Sequence, residues 1–220
     1  MSAAKKIVVV SAGLGIPSST KLLADMLADA TVASIGSRGA EAEVEHVELR
    51  NLAHALTDNL LTGFPTADLK AAIDAVHGAD AVIAVTPVFS ASYSGLFKTF
   101  FDVMEQGVLD AKPVLAAATA GTARHSLVIE HAMRPLFSYL HAVVVPTGVF
   151  AATDDFAGGS ELQKRVDRAA GELASLVTVT GSHVSAPSTA HPRKLVEDEF
   201  ANPTSFENLL KQASEGPPEY

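Results

Sequence analysis

The stretch Lys5-Lys6-Ile7-Val8-Val9-Val10-Ser11-Ala12-Gly13-Leu14-Gly15-Ile16-Pro17-Ser18-Ser19-Thr20 decides how the rest of the chain is read. Its apolar run, Ile7–Val10, is β-branched and does not alternate with polar residues, as expected of a strand covered on both faces. Small and polar residues stop it at Ser11. From about Ser18 a helix is expected, with Leu22, Leu23, Met26 and Leu27 at helical spacing. Strand, glycine-containing loop and hydroxyl-rich helix start form the opening unit of a parallel α/β sheet. The apolar run is far too short for a signal-peptide core or a membrane span, so a cytoplasmic protein is expected.

The same alternation continues along the chain. Further strands are expected at Val44–Leu49, Ala81–Val85, Val114–Ala118 and Val143–Val149, the second of them alternating with acids and reading as an edge. Helical stripes follow at Leu69, Ile73 and Val76, then at Leu96, Phe97, Phe100, Phe101 and Met104. Two more are Leu127, Val128, Met133, Phe137 and Leu140, and Leu162, Val166, Leu173 and Leu176. Five strands alternating with five helices predict a doubly wound sheet of parallel strands with helices on both faces.

Composition narrows the function. The 220 residues suit one domain, 1–180, followed by a polar, proline-containing tail, 181–220, that reads as loose chain or as an arm packing on a second subunit. Within the tail only Phe200 to Leu210 could hold a short helix. There is no cysteine, which excludes disulfides, Cys-based zinc and a thiol nucleophile. A net charge of −9 disfavours nucleic acid as a partner. The histidines are dispersed, and the acids Glu41, Glu43, Glu45 and Glu48 read as a solvated edge, so no metal is expected.

In an open parallel sheet ligands sit beyond the carboxyl ends of the strands. Three loops there have unusual composition. In the first, Gly13 and Gly15 let the backbone approach a ligand. Ser11, Ser18, Ser19 and Thr20 offer hydroxyls beside a helix N-terminus, which is chemistry for a terminal phosphate. It is neither a Walker A loop nor GxGxxG. An ordinary N-cap at Ser18 explains the same residues. The second loop, Thr86-Pro87-Val88-Phe89-Ser90-Ala91-Ser92-Tyr93-Ser94-Gly95, offers Pro87 and Phe89 as a surface for a flat heteroaromatic ring, with the N–H groups of Val88 to Ala91 at its edge. For Tyr93, core packing is the preferred reading. The third, Thr119-Ala120-Gly121-Thr122-Ala123-Arg124-His125, could aim N–H groups at ring oxygens and nitrogens, with Arg124 and His125 at the start of the fourth helix.

Together these loops resemble the NAD(P)H-dependent FMN reductases of the flavodoxin-like fold, which feed two-component monooxygenases. The run Thr86 to Thr99 looks like that family's second-loop signature. Ala118 to His125, and Ala132-Met133-Arg134-Pro135-Leu136, look like two further family segments. The likeness covers about residues 6–176. The chain departs from the pattern at Ala12 and Gly13, in lacking an arginine in the phosphate loop, at Phe89 and Ala120, and at His131, where some relatives carry tyrosine.

The resemblance implies five parallel strands in the order 2-1-3-4-5. It also implies FMN phosphate held by Ser11, Gly13, Ser18, Ser19 and Thr20. The ribityl chain and ring would lie along Thr86, Pro87, Val88, Phe89, Ser90 and Ala91, with the pyrimidine edge on Thr119, Ala120 and Gly121. NADH or NADPH would then donate hydride from C4 of the nicotinamide to N5 of the flavin, with His125 as an optional helper. A homodimer or homotetramer is implied, and a luciferase-like monooxygenase partner. Alternatives are an FMN-containing quinone, azo-dye or metal-ion reductase and a non-catalytic electron carrier. The residues leave the NADH/NADPH preference open, and Lys21, Lys98 and Arg124 all stand as cations for a 2′-phosphate.

Overall fold

In the computed structural model, which describes residues 3–158 and 160–179, the opening run forms β1 (Lys5–Ser11), with Ile7–Val10 wholly buried. Strand periodicity divides this run between two cores. Val8 and Val10 join one layer, and Ile7 and Val9 join the other. The same split recurs in β3 (Ala81–Phe89), where Val82 and Ala84 face one way and Ile83 and Val85 the other. It recurs again in β5 (Pro113–Ala120) with Val114 and Ala116 against Leu115 and Ala117. Strands that feed two cores carry no polar face, and this produces their unbroken apolar spelling.

One layer is made by α1 (Ser19–Gly36) and α6 (Ser160–Val179), which bury Leu23, Leu27 and Ile35 against Leu162, Val166 and Leu173. The other holds α2 (Ala53–Thr62), α3 (Ala67–Gly78), α4 (Gly95–Asp102) and α5 (Arg134–Tyr139). Phe97, Phe101 and Phe137 interlock there, with ring centroids 4.8, 5.1 and 6.2 Å apart. The Lys112 ammonium, reaching the carbonyls of Val76, His77 and Ala79 at 2.6, 2.7 and 2.9 Å, closes the C-terminal end of α3. Burial holds that ammonium below its usual pKa.

The parallel order is β2 (Ala42–Glu48), β1, β3, β5, then a fifth position, the expected 2-1-3-4-5. The strand β2 is the half-exposed edge. The fifth position differs from the single strand expected at Val143–Val149. It is split into β6 (Val143–Val144), beside Pro113–Val114, and β7 (Val149–Ala152), beside Ala117–Ala120. Pro146 has no N–H for a ladder. The Arg134 guanidinium holds the gap from one side, donating to the carbonyls of Val145 (3.0 Å) and Pro146. Glu172 holds it from the other, accepting from the Thr147 N–H and hydroxyl, both at 2.7 Å.

Two other expectations are corrected. Helix α2 was not expected; of its ten residues it buries only Leu56 and Asn59. The fourth helix does not open at Arg124 and His125. These residues lie in a 3-10 turn, Ala123–His125, and a wide π turn, Ile129–Met133, then leads into α5. The tail 181–220 lies outside the described residues. Among the described residues no helix is long and apolar enough to cross a membrane, and no three His, Cys, Asp or Glu side chains converge as a metal site would need.

Candidate functional site

Pairing register brings the three loops together. Ser11 at the end of β1 lies opposite Val85 of β3, and Pro87 of β3 lies opposite Thr119 of β5. The strand ends therefore stand side by side, and a bond from the Ala12 N–H to the Val85 carbonyl (2.9 Å) ties the first loop to β3.

Ser18 is the N-cap of α1, with extended backbone and its Oγ accepting from the Lys21 N–H at 3.1 Å. The next N–H groups, those of Ser19 and Thr20, precede any intrahelical acceptor and carry the positive end of an 18-residue dipole. No acid lies in that first turn. Gly13 approaches so closely that a Cβ on it would stand 2.2 Å from Ser18 Oγ. The capping explanation of Ser18 and the phosphate explanation are thus compatible: its lone pair caps while its O–H remains to donate. Ser11 is buried and Ser19 exposed. Thr20 differs from its neighbours: its buried hydroxyl is bonded to that of Thr119 at 2.8 Å. These two threonines lock the first loop to the third, so the Thr20 hydroxyl is already engaged and only its N–H remains to offer a phosphate.

The second loop is a hairpin. Val88 and Phe89 pair with Tyr93 and Ser92 of β4 (Ser92–Tyr93), and Ser90 and Ala91 make the two-residue turn, both at positive φ (46° and 66°). That is the handedness a tight hairpin demands, and neither residue is glycine. Buried Thr86 braces the hairpin, accepting from the Ser94 N–H at 3.0 Å and donating to the Pro87 carbonyl at 2.9 Å. Phe89 is half-exposed beside Pro87, as a stacking surface needs, whereas Tyr93 packs on Phe97 with centroids 5.7 Å apart. In the third loop Ala120 is half-buried and Gly121 exposed.

A cleft of about 450 Å³ adjoins the first loop, lined by Ser11, Gly13, Ser18, Lys21, Glu48 and Arg50 among others. The Lys21 ammonium is engaged there, 3.0 Å from Asp25 and 3.6 Å from Glu48. The hydrogen bond to Asp25 raises its pKa against a partial burial that lowers it. Arg50 was missed by sequence reasoning. Its signal was topological: it lies two residues past β2, the neighbour of β1. A second hollow of about 300 Å³ is lined by Ala91, Ser92, Arg124, His125, Leu127 and His131 among others.

The donors fit a phosphomonoester with a flat ring attached. The cradle is glycine-opened and acid-free in its first turn, and an aromatic wall and the exposed Gly121 just past β5 adjoin it.

A family model described as NADPH-dependent FMN reductase matches residues 5–157. Among characterised relatives, an FMN reductase (NADPH) of Pseudomonas aeruginosa is 38% identical over 156 residues, 71% of this chain and 81% of that protein. An NADH-dependent FMN reductase, SfnF, of Pseudomonas fluorescens is 36% identical over 190 residues, 84% of this chain and 96% of that protein. Among solved structures, an oxidoreductase from Corynebacterium diphtheriae superposes with a TM-score of 0.79 at 48% identity, covering 81% of this chain and 99% of the other. An apo NADH:FMN oxidoreductase gives 0.70 at 28% identity, covering 86% and 97%.

Proposed function

The chain belongs to the NADPH-dependent FMN reductase family, and on that premise we propose that it reduces FMN with NADH or NADPH and supplies the reduced flavin to a partner monooxygenase. The observation that carries this reading is the register of the three strand ends, which sets the Gly13–Ser18 cradle, the Pro87–Phe89 wall and the Thr119–Gly121 rim side by side.

Bound there, FMN supplies the redox chemistry by accepting hydride from the nicotinamide. The protein's task is grip and alignment. First-turn N–H groups of α1 and the Ser18 and Ser19 hydroxyls hold the phosphate. Pro87, Val88 and Phe89 would fix the ring plane, and hydride transfer would need the nicotinamide stacked on it at about 3–3.5 Å. Thr119 to Gly121, at the end of β5, would meet the pyrimidine edge, where negative charge would grow. Fixed dipoles there stabilise that charge without reorganising. The short-range N–H groups outweigh a net charge of −9, because exposed charges beyond about 8–10 Å are screened at physiological salt. The assembly proposed is a homodimer or homotetramer built on the helices after the second and third loops, where Tyr139 at the end of α5 is exposed.

The test is the absorption spectrum of the purified chain, followed by NADH and NADPH oxidation with and without added FMN. Turnover that depends on free FMN is the expected result. Yellow protein that reduces a quinone without added flavin would replace supply by tight-flavin reduction. Bound flavin that neither nucleotide reduces would leave an electron carrier. The monooxygenase step is tested by replacing a known flavin supplier with this chain in a coupled assay.

A further inference from the structure

The hollow beyond the third loop has a composition that the flavin site does not use. We propose that Arg124, with His125 and His131 beside it, is the seat for the 2′-phosphate of NADPH, and that this chain therefore prefers NADPH to NADH. The proposal rests on the FMN reductase reading and names the donor that reading leaves open.

Position is the first argument. A nicotinamide stacked on a ring lying against Pro87–Phe89 must send the rest of its dinucleotide outward past the rim. Ala91 and Ser92, which line the hollow, belong to the hairpin directly after that wall. Arg124 follows three residues after Gly121 of the opposite rim. The hollow therefore begins where the ring site ends, and about 300 Å³ has room for a phosphorylated ribose.

Charge is the second. The two donors differ in a phosphomonoester of nearly two negative charges, and a chain of net charge −9 needs local cations to tell them apart. Of the three cations named from the sequence, Lys21 is held between Asp25 and Glu48, and Lys98 is paired with Asp102. Arg50, found from the structure, shares its cleft with Asp25 and Glu48. Arg124 is exposed and has no acidic partner among the described residues. Its Nε is steadied by the Thr122 hydroxyl at 3.0 Å, which leaves both terminal nitrogens available. None of the described residues lining its hollow is acidic, and the nearby Glu130 is occupied by Arg134 at 2.8 Å. A guanidinium offers paired donors that match phosphate oxygens, and the imidazoles of His125 and His131 add N–H donors.

The experiment compares wild type with Arg124→Ala and, as a control cation, Lys98→Ala. Steady-state kinetics at saturating FMN use each nucleotide in turn. In parallel, calorimetry on the full chain measures 2′,5′-ADP against 5′-AMP. Wild type is expected to favour NADPH. Arg124→Ala raises KM for NADPH by about ten- to a hundredfold, the worth of one or two charge-assisted hydrogen bonds, with much smaller effects on NADH and on kcat. It also abolishes the preference for 2′,5′-ADP, while Lys98→Ala leaves both preferences in place. Equal use of the two nucleotides by wild type, or an Arg124→Ala variant that keeps its preference for 2′,5′-ADP, overturns the proposal. If FMN-dependent oxidation is absent altogether, the FMN reductase reading fails instead, and the calorimetric comparison still decides whether Arg124 reads the phosphate.

Discussion

Replacing Gly13 by alanine puts a methyl carbon 2.2 Å from Ser18 Oγ, 3.1 Å from Thr20 Cβ and 3.3 Å from Ser18 Cβ. The Ser18 hydroxyl must swing away and so abandons the Lys21 N–H it caps at 3.1 Å. Loss of such a cap costs about 1 kcal/mol, and the remaining tight contacts resemble overpacking at roughly 1–3 kcal/mol. A total of about 2–4 kcal/mol lowers the melting temperature by about 4–16 °C for a domain of this size. The same displacement withdraws a phosphate donor, so FMN affinity, followed by quenching of flavin fluorescence, falls about tenfold or more. The decisive measurement is a double-mutant cycle with Ser18→Ala. Because Ser18→Ala removes the clashing oxygen, Gly13→Ala should cost about 1 kcal/mol less in that background than alone. Additive costs, or a Gly13→Ala protein as stable and as flavin-avid as wild type, would refute the cradle geometry.

Four other perturbations probe the frame. Thr20→Val or Thr119→Val alone strands a buried hydroxyl and destabilises by about 1–3 kcal/mol, whereas the double variant is closer to wild type than the sum of the two, as chemical denaturation will show. Lys112→Met leaves three carbonyls at the end of α3 without their ammonium and should cost about 1–3 kcal/mol by the same assay. Burial pushes the Glu172 carboxyl up, but hydrogen bonds from the Thr147 hydroxyl and N–H, and then from Arg168, outweigh it and hold its pKa below the usual glutamate range. Its stabilisation is therefore present above the unfolded-state pKa and lost as pH falls through the folded one. Glu172→Gln should be less stable than wild type at neutral pH, and the gap should close in acid. Gly148→Ala drives a methyl to within 2.5 Å of the buried Ile129 Cγ2 and should lower stability by about 1–3 kcal/mol, read as a fall in melting temperature.

What the sequence made legible was what the backbone dictates locally. Ile7–Val10, Ala81–Val85 and Val114–Ala118 sit between two cores, so their apolar runs could be read as interior parallel strands, and the strand order followed from the resemblance. The helix start at Ser18 was legible because a run of Ser and Thr marks an N-cap, whereas the close approach of Gly13 to Ser18 Oγ came only with the fold. The rest depended on partners distant in sequence. Nothing around Thr20 hints that its hydroxyl is taken by a residue 99 positions on. The broken fifth position depends on Arg134 and Glu172, from two different layers, and a window around Pro146 contains neither. Arg50 reaches the first cleft only because β2 lies beside β1. The π turn at Ile129–Met133 has an ordinary helical spelling, and the widened geometry leaves no periodic trace.

The bonded pair Thr20–Thr119 gives the crevice a rigid mouth. Two walls pinned to each other, with the hairpin braced by Thr86 alongside, need not be ordered when a visitor arrives, so that entropy is lost once, at folding, and not at each encounter. The same stiffness works in reverse: nothing must unlatch before the occupant leaves. A mouth of this kind is ready-made, so little of the occupant's binding energy is spent on ordering the walls that receive it.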